Sequence, residues 1–291
     1  MASLDPIHAH THSAFRGPLA ERMALARQWD TAPELLVLLA TDEVEAVRCA
    51  VAGNPGAPSH ADRLLAQDAD APIRTCLARK LAARAGELAL SLADRRGRLA
   101  WDALLLLAQD PRNEVRHAVA DTLADLTDAP HDLVLALARD AVLLVCEPLI
   151  RLSLALTPED LLALVREPPG VGSRLAVARR LRLSASLCEA VVESGDLAAM
   201  AALLRNPTAQ IPLVTLEALI GMAARHLALQ EPLVCRPGLP SALIPLMAAM
   251  LADETLSQIA TQPEMQPLVE ALSRARDPAW NLHRTEAHRT M

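Results

Sequence analysis

Residues 31–58 read TAPELLVLLATDEVEAVRCAVAGNPGAP. Thr31-Ala32-Pro33-Glu34 is a helix-start signature: a Thr cap, Pro in the first turn, and Glu three residues after the Thr to reach back to it. The apolar run Leu35–Ala40 follows. After Asp42, the residues Val44, Val47 and Val51 recur at helical spacing until Asn54-Pro55-Gly56 stops the second helix. The stretch therefore encodes two short helices joined at an acidic turn.

The same unit returns along the chain. An acidic residue is followed six positions later by an arginine with a β-branched residue before it: Asp42 with Val47-Arg48, Asp68 with Ile73-Arg74, Asp110 with Val115-Arg116. At Asp140 the rhythm continues, with Cys146 where the arginine would stand, and Ser194 to Asn206 repeats the step from Asp42 to Asn54. A pattern returning every few tens of residues is the mark of stacked helical repeats. The expected fold is all-α: a right-handed α-solenoid of about six helix pairs over residues 18–207, with a helical cap over 208–276 to hide the last apolar face. The cap contains Leu213–Leu229 and Ser241–Ala252, which read as two longer amphipathic helices. Residues 1–17 and 277–291 are expected to be tails. The long step between Asp68 and Asp110 contains Gly86–Ala100, where an extra or extended helix is expected.

Composition agrees with helices. Of 291 residues, 52% are hydrophobic but only 1% aromatic, with no Tyr, so Leu, Ala, Val and Ile must fill the core. Leu and Ala are strong helix formers, whereas sheets draw on aromatic and β-branched residues. The formal net charge of −7 argues against a broad phosphate-binding surface. The apolar runs fall short of the ~18–20 residues needed to span a bilayer, and Met1–Arg16 lacks the pattern of a signal peptide. A cytoplasmic location is expected. Five cysteines with no CxxC spacing suggest neither zinc nor a disulfide framework; most fall inside expected helices and read as small buried apolar residues.

The recurring charges have a structural reading. Each Asp is placed to satisfy free N–H groups at the start of the second helix. The Val or Ile and the alanine five residues on (Ala52, Ala78, Ala120) face the seam between repeats. An arginine among core positions needs a partner, since an isolated buried charge costs several kcal/mol. Asp42, Arg48, Asp68, Arg74, Asp110 and Arg116 are thus expected to form a ladder between repeats, with anion binding by these arginines as the alternative.

The pattern resembles HEAT-like repeats, and Val47-Arg48…Val51-Ala52…Asn54-Pro55…Pro58 resembles their leucine-rich repeat variant. Glu193-Ser194-Gly195-Asp196, Ala202–Pro207 and Arg236–Pro240 are similar to a large uncharacterised bacterial family that carries such repeats. The resemblance covers roughly residues 35–251 and implies an all-α solenoid with a scaffolding role, and no reaction. Some HEAT-like proteins are DNA glycosylases and others bilin lyases.

No catalytic residue is identified: Gly-rich phosphate loops, nucleophile elbows and HExxH are missing from the sequence. His8, His10 and His12 form an H-x-H-x-H run, but no ordered element precedes it to hold a metal, and no cofactor is expected. Arg174, Arg179, Arg180 and Arg182 form the densest basic cluster, read either as an anion or partner patch or as a solvated helix side. The expected function is a non-catalytic scaffold binding a protein partner along the concave face of the second helices. An enzyme or tetrapyrrole-handling protein is the alternative, and a nucleic-acid binder stands third.

Overall fold

The structure, a computed structural model, describes residues 17–276. His8, His10 and His12 lie outside the described residues, as do the two expected tails apart from Gly17. Among the described residues all regular secondary structure is helical: nineteen α-helices and three short 3-10 turns. The chain divides into two compact units, one of residues 1–160 with 169–171, the other of 161–168 with 172–291.

The first unit contains α1 (Leu19–Arg27), α2 (Pro33–Leu39), α3 (Glu45–Gly53), α4 (Ser59–Leu65), α5 (Ala71–Ala82), α6 (Ala85–Leu90), α7 (Arg95–Ala108), α8 (Asn113–Ala124), α9 (His131–Ala138) and α10 (Leu143–Leu152). Helices α1, α3, α5, α8 and α10 pack one on the next in a continuous row, and α4 lies against α7. The row is held by the same register in each helix. Val47 and Val51 of α3, Ile73, Leu77 and Leu81 of α5, Val115, Val119 and Leu123 of α8, and Val145 and Leu149 of α10 are all fully buried. Each such side chain contributes about 1.5–3 kcal/mol of transfer free energy. Ala52, Ala78 and Ala120 are also fully buried, and their single methyl lets neighbouring helices approach.

The Gly86–Ala100 segment holds the short additional helix α6 and the start of α7, whose N-terminus is capped by Asp94 accepting from the Arg96 and Gly97 N–H groups. Gly86 has a packing reason. A Cβ there would meet Asp128 Oδ2 at 2.2 Å. Thr31 does not cap α2. Its hydroxyl donates to the Leu25 carbonyl at the end of α1 (2.7 Å), and Ala32 occupies the cap position without a side-chain bond. Tying the two helices together has taken precedence over capping one of them.

The second unit contains most of α11 (Pro158–Arg166), then α12 (Ser173–Ala178), α13 (Ala185–Glu193), α14 (Leu197–Arg205), α15 (Leu213–Ala223), α16 (Gln230–Val234), α17 (Ile244–Met250), α18 (Asp253–Ala260) and α19 (Gln266–Arg276). Of the two long helices expected here, the first is broken and the second is two residues shorter. Residues 213–229 stop at Ala223 and resume as the 3-10 turn Leu227–Leu229, because His226 takes an extended conformation. The second begins as the 3-10 turn Ser241–Leu243 and ends at Met250. The amide of Gln230, 1% exposed, stitches the pieces together. It donates to the carbonyls of Ala223 and Met250 and accepts from the Ala252 N–H and the Thr255 hydroxyl. Every polar atom of that buried amide is therefore used.

Candidate functional site: the charged joints and the cleft

The acidic turns of the first unit share one construction. Asp42, Asp68, Asp110 and Asp140 each accept, through Oδ1, the N–H two residues on, at 2.8–2.9 Å. This side-chain turn leaves the second carboxylate oxygen facing the preceding second helix. Arginine from that helix fills the space. Arg48 donates Nε and Nη2 to Asp68 at 2.7 and 3.3 Å, Arg74 to Asp110 at 2.6 and 3.0 Å, Arg116 to Asp140 at 2.6 and 3.2 Å. The remaining Nη1 turns back to the carbonyl of its own unit's Asp: Asp42, Asp68 and Asp110 respectively. Each guanidinium thus binds the turn before its own helix and the turn of the next unit at once.

Forked arginine–carboxylate contacts of this kind are among the strong charged hydrogen bonds. The arginines are held above their ordinary value, chiefly by the hydrogen bond to Asp68, Asp110 or Asp140. At Asp140 burial pushes the carboxyl up, but the Arg116 contact and the Val142 N–H outweigh it, leaving it below the ordinary carboxylate range.

The row extends beyond the six residues of the sequence pattern. At its start Arg22 donates Nη1 to both oxygens of Asp42, at 2.6 and 2.8 Å. At its end Asp140 receives Arg116, while at the second joint Asp70 gives Arg48 a further carboxylate at 2.5 Å. Arg22 precedes Asp42 by the 20 residues that also separate Arg48 from Asp68, but the later steps are 36 and 24, so the spacing alone did not single it out.

A second device occurs in both units. Asn54 donates Nδ2 to the carbonyls of Ala26 and Gln28 while accepting the Gly56 N–H. Asn206 does the same with Ala178, Arg180 and the Thr208 N–H. A cation then covers each helix end. Lys80 donates to the Asn54 carbonyl, and Arg236 to the carbonyls of Leu203, Leu204, Asn206 and Ala209. Lys80 also meets Asp62 at 2.5 Å, with both side chains under 10% exposed.

Arg174, Arg179, Arg180 and Arg182 lie on α12 and in the turn after it. Arg174 spends Nε on the Val165 carbonyl, and burial lowers the Arg180 guanidinium. Arg182 adopts φ +57° and gives its N–H to Thr208.

The first unit also has an open cleft of about 470 Å³. Pro33, Glu34 and Val37 of α2, Gly56 and Pro58 of the next turn, Ser59 and His60 of α4, and Arg96 of α7 line it. Of these lining residues, Gly56 lies against the backbone of Trp29. A Cβ on Gly56 would come within 2.0 Å of the Trp29 carbonyl, and the Trp29 side chain is left 74% exposed. Among the described residues no group of three or more His, Cys, Asp or Glu is placed to hold a metal ion, and no helix is long and apolar enough to cross a membrane.

These features define a class: an all-helical protein built on paired helices with charged joints. Residues 145–290, half of the chain, match the family model described as an uncharacterised protein conserved in bacteria (DUF2336), and the chain belongs to that family. No curated protein and no solved structure matches the chain.

Proposed function

We propose that the chain is a non-catalytic, HEAT-like scaffold of the leucine-rich repeat variant kind, a right-handed solenoid of helix pairs that binds a protein partner along its second helices. The observation that carries the reading is the recurring joint of the first unit. The same side-chain turn and arginine fork return at Asp68, Asp110 and Asp140, and each of those arginines also holds the carbonyl of the preceding joint's Asp. Stacked equivalent units require such a joint, and stacking provides an extended surface. Cys49, Cys76, His117 and Glu147 are half-buried on α3, α5, α8 and α10, giving that surface small and polar groups rather than a continuous apolar one.

A photo-reactive side chain placed at Ala50 or Asp121 should crosslink the same partner species in cells, and one at Leu90 should not. If neither position yields a crosslink that the Leu90 control lacks, the scaffold reading fails.

The cleft supports a second reading, a ligand-handling protein of lyase or tetrapyrrole-binding type, because Glu34, His60 and Arg96 converge in a space of ligand size. Titration with a linear tetrapyrrole should then shift its absorption band in wild type and not in His60→Ala. An unchanged spectrum in wild type removes this reading.

A further inference from the structure

Cys49 and Cys76 stand 27 residues apart in the chain, on α3 and α5, yet their sulfurs are 3.2 Å apart. They are not in equivalent register. Cys49 follows Arg48 by one residue, whereas Cys76 follows Arg74 by two, so the contact runs diagonally across the seam between neighbouring helices. The residue before Cys49 fixes that seam. Arg48 holds Asp68 and Asp70, immediately ahead of α5. Both thiols are half-buried, which leaves them open to water and to small solutes.

We propose that Cys49 and Cys76 are a redox modification site: a two-electron oxidant of the hydroperoxide class converts the pair into a disulfide joining α3 to α5. The S–S bond length of ~2.05 Å requires the sulfurs to close by about 1.2 Å from their present separation. Rotation of the two side chains about their Cα–Cβ bonds covers such a distance.

The hydrogen bond assigns the roles. Cys49 donates its S–H to the Cys76 sulfur, and burial pushes the Cys49 thiol up to about 11. Cys49 therefore keeps its proton and aims it at the Cys76 sulfur, which makes Cys76 the sulfur that meets the oxidant first. The Cys76 thiolate attacks one peroxide oxygen, the O–O bond breaks, and hydroxide leaves, taking up the proton that Cys76 released. The sulfenic acid formed on Cys76 is then displaced by the Cys49 sulfur. The S–S bond forms, the S–O bond breaks, and the hydroxyl departs as water with the Cys49 proton. Two thiols and one peroxide become one disulfide and two waters, and a dithiol reductant reverses the change by exchange.

This inference does not depend on the scaffold reading, because it needs only the two facing thiols. If both hold, the disulfide forms on the proposed partner face.

The experiment uses the full chain with hydrogen peroxide as the probe, followed by alkylation and tryptic mass mapping. Cleavage after Arg48, Arg63, Arg74 and Arg79 puts Cys49 and Cys76 on separate peptides, so the bond is read directly. The expected result is one linked pair of peptides, a monomer by non-reducing electrophoresis, and full reversal by dithiothreitol. In Cys49→Ser the sulfenic acid should accumulate at Cys76 and be trapped by dimedone. In Cys76→Ser, labelling of Cys49 should be no faster than that of the buried Cys188. Complete alkylation of both thiols after peroxide, a link from either to another cysteine, or an intermolecular dimer overturns the proposal.

Discussion

At Arg74 nearly all the cost of a buried charge is visible in one residue. Its side chain is 11% exposed and its partner Asp110 4%, so water cannot replace what the pair supplies. Arg74→Ala removes the fork on Asp110 and the donors to the carbonyls of Asp68 and Ala69. Breaking a buried pair from one side costs about 3–5 kcal/mol, which should lower the melting temperature of the first unit markedly. An unchanged melting temperature would rule out a structural role for the joint. Lys80 and Asp62 differ in kind. Burial raises the Asp62 carboxyl and lowers the Lys80 ammonium, so for each group desolvation outweighs attraction to its partner. Lys80→Met alone should destabilise by about 3–5 kcal/mol, whereas Asp62→Leu with Lys80→Met should recover most of that loss. Denaturant melts of the two variants, with the matching Asp62→Leu variant, give the coupling energy; a simple sum of the single effects would exclude it.

At the scale of elements, short helices are joined by side chains rather than by long caps. Gln230 binds the end of α15, the end of α17 and the start of α18 through four hydrogen bonds. Gln230→Leu keeps the volume but leaves four backbone and hydroxyl groups unmatched, two of them in fully buried hydrogen bonds, for a loss of more than about 2 kcal/mol. Chemical denaturation monitored in the second unit should report it, and a loss below experimental error would contradict the keystone role.

The start of α9 and the start of α11 are linked similarly. His131 Nε2 lies 2.8 Å from Asp160 Oδ2, which also accepts from the Thr157 N–H and hydroxyl. The Asp160 hydrogen bond, working against desolvation and helped by Asp132, raises the imidazole above its ordinary value. A raised histidine stabilises fully below the unfolded value of ~6.5, and its contribution disappears as pH rises through the folded value. Burial raises the Asp160 carboxyl, but the hydrogen bonds from His131 and Thr157 leave it lowered, so its contribution is lost instead as pH falls through its folded value. Proton NMR should place the His131 titration above that of a free imidazole, and Asp160→Asn should bring it down. A titration insensitive to Asp160→Asn would refute the link.

Over the whole molecule, the all-helical class was legible because its cause is local. A Leu- and Ala-rich chain with almost no aromatics, broken by Asp and Asn-Pro turns, favours helices segment by segment. The spacing of Asp to Arg was legible for the same reason. Which carboxylate each arginine reaches depends on packing between segments 20, 24 or 36 residues apart, and no fixed interval encodes it. The Cys49–Cys76 contact was hidden further still, being diagonal to the repeat, and Arg96 joins the cleft only because α7 packs beside α4. Thr31 misled because a cap and a tie to the preceding helix use the same residue type.

The use of positive charge bears on nucleic acid. The chain has 28 Lys and Arg against 35 Asp and Glu. Arg22, Arg48, Arg74 and Arg116 are committed to carboxylates, and Arg174 and Arg236 turn to backbone carbonyls. Phosphate-backbone affinity grows with the number of cations free to displace counterions, and each such contact steepens the salt dependence by nearly one unit. The cations occupied by joints add nothing to that number, while the net charge of −7 repels a polyanion. Duplex DNA and RNA should therefore show no retardation in a gel-shift series at moderate salt, and Arg179→Glu with Arg182→Glu should change nothing. A salt-sensitive complex that this double variant abolishes would instead make the α12 arginines a phosphate site.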